Sequence, residues 1–201
     1  MADDVLSELA VEAKRLVALG FLACTAGNLS ARLSEGVVAM SPSGVDKGTL
    51  TAEDFIQVDD AGAPIPPDRR KPSDETALHL ALYGDGAGAA ICHGHPPYAV
   101  ALSMGAASSI RFHGIEMQKA FAGITTHEHE CLLPVIDNSQ DMAELSRRAL
   151  AARRRDMPAV LVRGHGVYAW GRTVREAGRH LEAVEWLCRI VHLCGNGDAR
   201  R

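Results

Sequence analysis

Residues 90–97, Ala-Ile-Cys-His-Gly-His-Pro-Pro, form an apolar run that ends in two histidines one position apart and then in two prolines. In an extended strand, residues i and i+2 face the same side, so the imidazoles of His93 and His95 can bind one ion. Proline is tolerated in the first turn of a helix. This stretch therefore predicts a buried strand that gives way to a helix, with a metal site at the junction.

A third histidine follows a second apolar run. His165 lies in Arg-Gly-His-Gly, residues 163–166, directly after the strand-like run Ala159–Arg163. Three histidines with one open position describe a catalytic zinc site, although iron, cobalt or manganese would suit similar donors. A His-x-His pair alone is a common accident of sequence. The metal hypothesis therefore needs support from other segments.

Composition narrows the class of protein. With 201 residues and 47% hydrophobic content, the chain can form one domain over residues 1–201, although two small domains are an alternative. A net charge of −4 and a pI near 6.1 argue against a nucleic-acid partner. The start is acidic and no apolar stretch reaches membrane-spanning length, so we expect no membrane association. Five cysteines without a Cys-x-x-Cys pair favour the reducing cytoplasm.

Hydrophobic periodicity predicts alternating helices and strands. We therefore expect a layered α/β domain in which helices cover a mixed sheet. Capping residues mark several helix starts. Among them are Ser73 and a capping box formed by Thr173 and Glu176. The predicted helices are Asp4–Gly20, Asp74–Tyr83, one that begins at Pro96-Pro97, and a long final helix after Thr173. The predicted strands are Val37–Met40, Phe55–Val58, Ala87–Cys92, Leu132–Ile136 and Ala159–Arg163.

Three segments are suited to hold an anion. Thr25-Ala-Gly-Asn28 and Ser41-Pro-Ser-Gly44 combine hydroxyl groups with glycines whose amides can approach a phosphate closely. Ser73 adds a hydroxyl at a helix N-terminus. Each alone is an ordinary turn or cap. Together with a metal site they indicate a small-molecule substrate that carries a phosphate.

These motifs, in this order, resemble the class II aldolase/adducin family over nearly the whole chain. The resemblance implies a three-layer α/β/α class II aldolase-like fold with a central mixed, mainly antiparallel sheet. It also implies a homotetramer with active sites near subunit boundaries. The matching segments are Thr25–Ser30, Ser41–Gly44, Lys71–Glu75, His93–His95 and Arg163–Gly166.

The resemblance also assigns roles to residues. In this family the His-x-His pair and the later histidine hold a divalent metal, usually zinc, which implies His93, His95 and His165 as ligands of one Zn²⁺ per subunit. The phosphate contacts that it implies are Thr25, Gly27, Asn28, Ser43, Gly44 and Ser73.

Local detail points to one subfamily. Residues 114–120, 133–138 and 163–171 resemble the methylthioribulose-1-phosphate dehydratases of methionine salvage. That resemblance implies Glu116 as the acid/base residue of a zinc-dependent hydro-lyase. Its product would be 2,3-diketo-5-methylthiopentyl 1-phosphate, formed by loss of water from 5-methylthioribulose 1-phosphate.

Two other functions remain open. A zinc-dependent class II aldolase would cleave a deoxyketose 1-phosphate, such as fuculose or 5-deoxyribulose 1-phosphate, and would use Glu75 with a tyrosine. No tyrosine lies near Glu116, and Asp74 stands where the aldolases have a second phosphate-binding serine. The third possibility is a non-catalytic adducin-like interaction module, against which the retained ligand set argues. Glu75 has a simpler interpretation, since an acidic residue in a first helical turn stabilises the helix dipole.

Some neighbouring residues allow more than one interpretation. The run 127–130, His-Glu-His-Glu, is a candidate second metal site, or a strand-edge or interface segment. Gly94 is smaller than the threonine or serine usual between the ligand histidines and is expected to loosen the strand. Cys92 should point away from the histidine face. His79 is interpreted as a helix-face histidine.

Overall fold

The computed structural model describes residues 2–195. Helices and strands alternate along this range, joined by short 3₁₀ turns. The helices are α1 Ala2–Ala18, α2 Thr76–Gly84, α3 Pro97–Ser103, α4 Met142–Ala152 and α5 Val174–Leu193. The strands are β1 Asn28–Ser34, β2 Val37–Met40, β3 Ile56–Val58, β4 Ala90–Gly94, β5 Ser109–Phe112, β6 Cys131–Ile136, β7 Ala159–Val162 and β8 Gly166–Gly171.

The strands form one eight-stranded sheet in the order β3-β2-β1-β4-β8-β7-β6-β5. Only β6 and β7 pair in parallel within this sheet. Helices α1, α3 and α5 cover one face, and α2 and α4 cover the other. The prediction of three α/β/α layers around a mixed, mainly antiparallel sheet is therefore confirmed.

The alternation of side chains along β4 decides which layer holds each residue. Ala90 and Cys92 belong to the core beneath α1, α3 and α5, whereas Ile91 belongs to the core beneath α2 and α4. His93 is two residues after Ile91 and faces the same layer. Cys92 is fully buried on the opposite face, as predicted. The α2 and α4 layer therefore covers the histidine face of the sheet.

The end of α1 follows the predicted glycine stop. Gly20 has a φ of +79°, and its N–H donates to the Val17 carbonyl at 2.9 Å. The Phe21 N–H donates to the Leu16 carbonyl at 3.0 Å. This pair of bonds is a Schellman motif, which satisfies the last helical carbonyls. It also turns the chain toward the segment that contains Thr25.

The predicted cap of α2 is wrong. The helix begins at Thr76, and Ser73 lies in the preceding turn, where its Oγ accepts from the Glu75 N–H at 3.3 Å. The reason is that residues 73–76 form a separate turn, in which the Ser73 carbonyl accepts from the Thr76 N–H at 3.1 Å, and the regular helix starts only at the end of it. Glu75 therefore occupies the N-cap position without capping the helix, and its side chain is free to face the sheet.

The start of α5 is close to the predicted capping box. Thr173 Oγ1 accepts from the Glu176 N–H at 3.1 Å, as expected. The Glu176 carboxylate accepts instead from the Arg172 N–H, at 2.6 Å, one residue earlier than a capping box requires. Both side chains therefore still accept from backbone N–H groups at the start of the helix.

No helix within residues 2–195 is long and apolar enough to cross a bilayer. All five cysteines are free, three of them buried in the core.

Candidate active site

The three predicted ligand histidines lie together. His93 and His95 occupy the end of β4 and the residue after it, and His165 occupies the turn between β7 and β8. Their candidate ligand atoms all lie within 4.8 Å of one another, so the three imidazoles converge on one place. The antiparallel pairing of β4 with β8 brings these segments side by side. We call His93, His95 and His165 the histidine trio.

The ring of His93 is fixed by its surroundings. It is fully buried, it stacks on Tyr168 with 3.9 Å between ring centroids, and its Nδ1 lies 3.0 Å from the Val167 carbonyl oxygen. A carbonyl can only accept, so Nδ1 carries the proton and Nε2 presents its lone pair to the trio. Such an outer hydrogen bond is typical of metal-binding histidines.

The trio fits a divalent cation. Nε2 of His93 and Nε2 of His95 lie only 3.0 Å apart. Since Nε2 of His93 is an acceptor, His95 either donates to it as the neutral Nε2–H tautomer or shares a cation with it. Protonation is disfavoured, because burial lowers the pKa of His93 to about 3 and that of His95 below its usual value. A cation shared by neutral imidazoles satisfies both nitrogens.

Glu75 belongs to the same site, although it lies far from the trio in sequence. Its carboxylate oxygens lie 3.2 Å from Nε2 of His93 and 3.2 Å from Nε2 of His165. The Asn28 amide donates to it at 2.6 Å. Burial alone would raise the pKa of Glu75, but His93, His165 and Asn28 together hold it well below its usual range. Glu75 is therefore a carboxylate at neutral pH.

The segments predicted to hold phosphate lie next to the trio. Asn28 pairs with His93 across β1 and β4. Hydrogen bonds join the segments to one another, from Ser73 N to Ser41 O at 3.2 Å, from Ser43 N to Lys71 O at 3.1 Å, and from the N–H of Leu29, the residue after Asn28, to Ser41 Oγ at 3.2 Å. The six predicted contacts thus lie on three adjoining segments, Thr25–Asn28, Ser43–Gly44 and Ser73.

Asp74, which departs from the aldolase pattern, is exposed. Its carboxylate forms an ion pair with Lys71 at 2.5 Å, and the Asp74 side chain is 69% exposed. A solvated, paired carboxylate on the surface adds little repulsion to an anion bound among the loops.

Glu116 does not join the trio within one chain. It begins a 3₁₀ turn, Glu116–Ala120, and its side chain is 70% exposed. It pairs with Lys119 at 2.6 Å, which lowers the pKa of Glu116, and it lies 3.7 Å from His127. In residues 2–195 no ion pair connects it with a trio histidine.

The run 127–130 forms a turn, so its prediction as a strand edge is wrong. Its side chains pair outward, Glu130 with Arg111 at 2.5 Å and His129 with Asp156 at 3.9 Å. The trio is the one convergent group of metal-binding side chains in the described part of the chain, which leaves this turn without a second metal cluster. Exposed residues there remain candidates for an interface.

A family model decides the relationship. The model of the class II aldolase and adducin N-terminal domain matches residues 7–192. The chain belongs to this family. Methylthioribulose-1-phosphate dehydratase of Pectobacterium atrosepticum is 42% identical over 172 residues, which cover 84% of this chain and 83% of that protein. The dehydratase of the same name from Acidiphilium cryptum is 42% identical over 192 residues, or 92% of this chain and 90% of that protein.

Solved structures of the family support the same architecture. The L-fuculose-1-phosphate aldolase from Thermus thermophilus is 28% identical and superposes with a TM-score of 0.79, over 98% of this chain and 99% of that one. The predicted class II aldolase fold is thereby confirmed.

The sequence interpretation missed a buried polar cluster behind the trio. Ser30 Oγ lies 2.7 Å from Nδ1 of His79 and 2.8 Å from the Tyr83 hydroxyl, and His79 lies edge-on to Tyr168. His79 is fully buried rather than on a surface helix face. One signal was available: Ser30 is two residues after Asn28 and so shares its side of β1.

The buried His79 predicts an acid-sensitive fold. Burial lowers the pKa of His79 from 6.5 to about 4, so the unfolded chain takes up this proton before the folded chain does. Its contribution is complete above pH 6.5 and is lost as the pH falls toward 4. When metal-free protein is unfolded with urea, the free energy of unfolding should fall between pH 7 and pH 5 by about 2 kcal/mol more in the wild type than in His79→Gln. Equal losses in the two proteins would contradict this assignment.

Gly94 is tightly packed, so its expected loosening of β4 is wrong. A Cβ at Gly94 would lie 3.1 Å from the Phe21 carbonyl oxygen and 3.2 Å from Leu181 Cδ2. A loop and α5 therefore approach the strand closely here, and a larger residue would require the Phe21 carbonyl or Leu181 to shift by a few tenths of an ångström.

Gly166 sets the spacing of the trio. A Cβ there would lie 2.7 Å from Cδ2 of His95 and 2.9 Å from Cε1 of His93, and would also collide with the Gly94 carbonyl. Gly166→Ala is expected to push both rings away and to weaken metal affinity about tenfold to a hundredfold, as measured by competition with a chelator. The control is Gly105→Ala, where a Cβ meets open space. Unchanged affinity in Gly166→Ala would show that the rings are not held by this contact.

Proposed function

We propose that this protein is a zinc-dependent hydro-lyase that dehydrates 5-methylthioribulose 1-phosphate to 2,3-diketo-5-methylthiopentyl 1-phosphate, a step of methionine salvage. The observation that carries the proposal is the histidine trio with Glu75, in a chain 42% identical to methylthioribulose-1-phosphate dehydratases over most of its length. The phosphate segments beside the trio agree with a phosphorylated substrate.

His93, His95 and His165 would hold the metal through their ring nitrogens. When bound, a divalent cation supplies Lewis-acid polarisation of a substrate carbonyl oxygen, which makes the neighbouring C–H acidic. The buried hydrogen bond from Nδ1 of His93 to Val167 keeps that ring in the tautomer that binds metal. Zinc suits three imidazoles with an open position.

Glu116 is the proposed acid/base residue. As a general base it removes the C3 proton of the substrate, and the C4 hydroxyl then leaves with a proton as water. The resulting enol becomes the 2,3-diketone by moving a proton from oxygen to carbon, so one water is lost overall. Since Glu116 is exposed and lies apart from its own trio, we propose that it serves the site of a neighbouring subunit in a homotetramer.

Glu75 has a secondary role in the proposal. As a carboxylate between His93 and His165 it balances the charge of the metal, and it is a second candidate for proton transfer. The phosphate of the substrate is held by Thr25, Gly27, Asn28, Ser43, Gly44 and Ser73, whose amides and hydroxyls suit an anion.

An aldolase is the second candidate. Two observations favour it: Glu75, the glutamate that the aldolase hypothesis requires, lies at the trio, and a fuculose-phosphate aldolase shares the fold at 28% identity. Such an enzyme would break the C3–C4 bond of a deoxyketose 1-phosphate rather than the C4–O bond.

One assay separates the two reactions. Purified, zinc-loaded protein incubated with 5-methylthioribulose 1-phosphate should yield the diketone phosphate without cleavage of a carbon–carbon bond. Release of dihydroxyacetone phosphate would instead establish the aldolase. Absence of any reaction with either class of ketose phosphate would favour a non-catalytic module.

The bounds of the domain and the cellular compartment are part of the same proposal. We propose one domain over residues 1–201, because one sheet runs through the described chain. Five free cysteines support the reducing cytoplasm as its compartment.

A further inference from the structure

Lys47 is the one lysine or arginine that is fully buried within residues 2–195, with 1% of its surface exposed. It begins the short 3₁₀ turn Lys47–Thr49, just after the predicted phosphate segment Ser43–Gly44. Burying an ammonium group is unfavourable unless it is paired or hydrogen-bonded. No ion pair of 4.0 Å or less is formed by Lys47 with any described carboxylate, so hydrogen bonds rather than an ion pair offset its burial.

The ammonium connects the predicted phosphate segment of Thr25 with Val45, the residue that follows Gly44. Nζ of Lys47 donates to the Val45 carbonyl at 2.7 Å and to the Thr25 carbonyl at 3.0 Å. Thr25 and the residue before it, Cys24, have φ values of +67° and +54°, a left-handed conformation that residues with a Cβ rarely adopt. The bond from Lys47 therefore reaches the carbonyl of a residue in this uncommon conformation.

The charge of Lys47 interacts with a carboxylate of the site. Lysine has three N–H donors, and the two carbonyls use two of them. The carboxylates that act on its charge are Asp46 and Glu75, and Glu75 is part of the trio site. A phosphate bound among these loops would bring the missing negative charge close to the ammonium.

We propose that Lys47 is a positioning residue for the phosphate of the substrate, holding the segments of Thr25 and Ser43 together and balancing the charge of the bound anion. The inference rests on the proposed function for the identity of the phosphate ester, but not for the binding of phosphate itself. It adds Lys47 to a site that sequence motifs had assigned to hydroxyl and amide groups alone.

The test compares Lys47→Met, which keeps the length of the side chain and removes its charge, with Lys14→Met, which removes an exposed lysine from α1. Zinc-loaded protein is titrated with inorganic phosphate by calorimetry, and KM and kcat are measured with 5-methylthioribulose 1-phosphate. We expect Lys47→Met to raise the Kd for phosphate and the KM about tenfold to a hundredfold, with metal content unchanged and kcat less affected. Lys14→Met should match the wild type.

Other outcomes overturn the inference. Unchanged phosphate Kd and KM in Lys47→Met would remove Lys47 from this role, even where the wild type is an active dehydratase. Equal losses of kcat, metal content and thermal stability with intact phosphate affinity would make Lys47 a support of the fold alone. If Lys47→Met does not fold, Lys47→Gln, which keeps an N–H donor, is measured in its place. A wild type that binds phosphate through Lys47 but fails to dehydrate the substrate would refute the proposed function only.

Discussion

Protein in which His95 is replaced by glutamine is expected to purify without stoichiometric metal and to lose dehydratase turnover by roughly a thousandfold or more. The size follows from losing Lewis-acid stabilisation, worth several kcal/mol, at about 1.4 kcal/mol for each factor of ten. His95 is the preferred position because it is only partly buried, whereas His93 is fully buried and stacked on Tyr168. Its replacement should therefore spare the fold.

The measurements are metal content by elemental analysis and kcat with 5-methylthioribulose 1-phosphate. The matched control is His192→Gln, which changes an exposed histidine near the end of α5 and should keep both metal and activity. His165→Gln should behave like His95→Gln, since the two rings lie side by side in the trio, with 4.8 Å between their centroids. Normal metal uptake in either trio variant would rule out the proposed ligand set.

The second large effect separates the two glutamates. Glu116→Gln should lower kcat by about a hundredfold to ten-thousandfold with normal metal content, the range expected when a general base is lost. Glu75→Gln should instead weaken metal affinity about tenfold to a hundredfold, because its carboxylate lies 3.2 Å from two of the ring nitrogens. Glu128→Gln, an exposed glutamate in the turn near Glu116, is the control and should be active.

A mixing experiment then shows which subunit Glu116 serves. His95→Gln and Glu116→Gln chains are coexpressed to form mixed oligomers. Where a site combines residues of two subunits, some sites then carry both defects, some carry one and some carry neither. If Glu116 acts on a neighbouring subunit, some sites combine an intact trio with an intact Glu116 and activity returns. If mixed oligomers form and remain as inactive as the parents, Glu116 does not act across the interface. Near-normal turnover of Glu116→Gln would exclude it from proton transfer altogether.

Local pattern was enough to predict that the histidines of the trio lie together. His93 and His95 are two residues apart on a strand, so their shared side follows from the period of the strand itself, and the break at Gly166 places His165 at a strand end. The end of α1 at Gly20 is equally local, since the Schellman motif there requires a residue that readily adopts a positive φ, as glycine does. Short-range geometry of this kind is encoded within a few neighbouring residues.

Glu75 and Lys47 show where short-range patterns fail. Glu75 has the sequence position of an acidic residue in a first helical turn, but the helix begins only at Thr76 and the Glu75 carboxylate lies 3.2 Å from Nε2 of His93. Nothing in the sequence around Lys47 indicates burial, yet the packing of two loops buries it against the Thr25 carbonyl. Both outcomes depend on the register of β1 with β4 and on loops that meet across it, and these long-range pairings are set by the assembly of the whole sheet, not by the residues on either side.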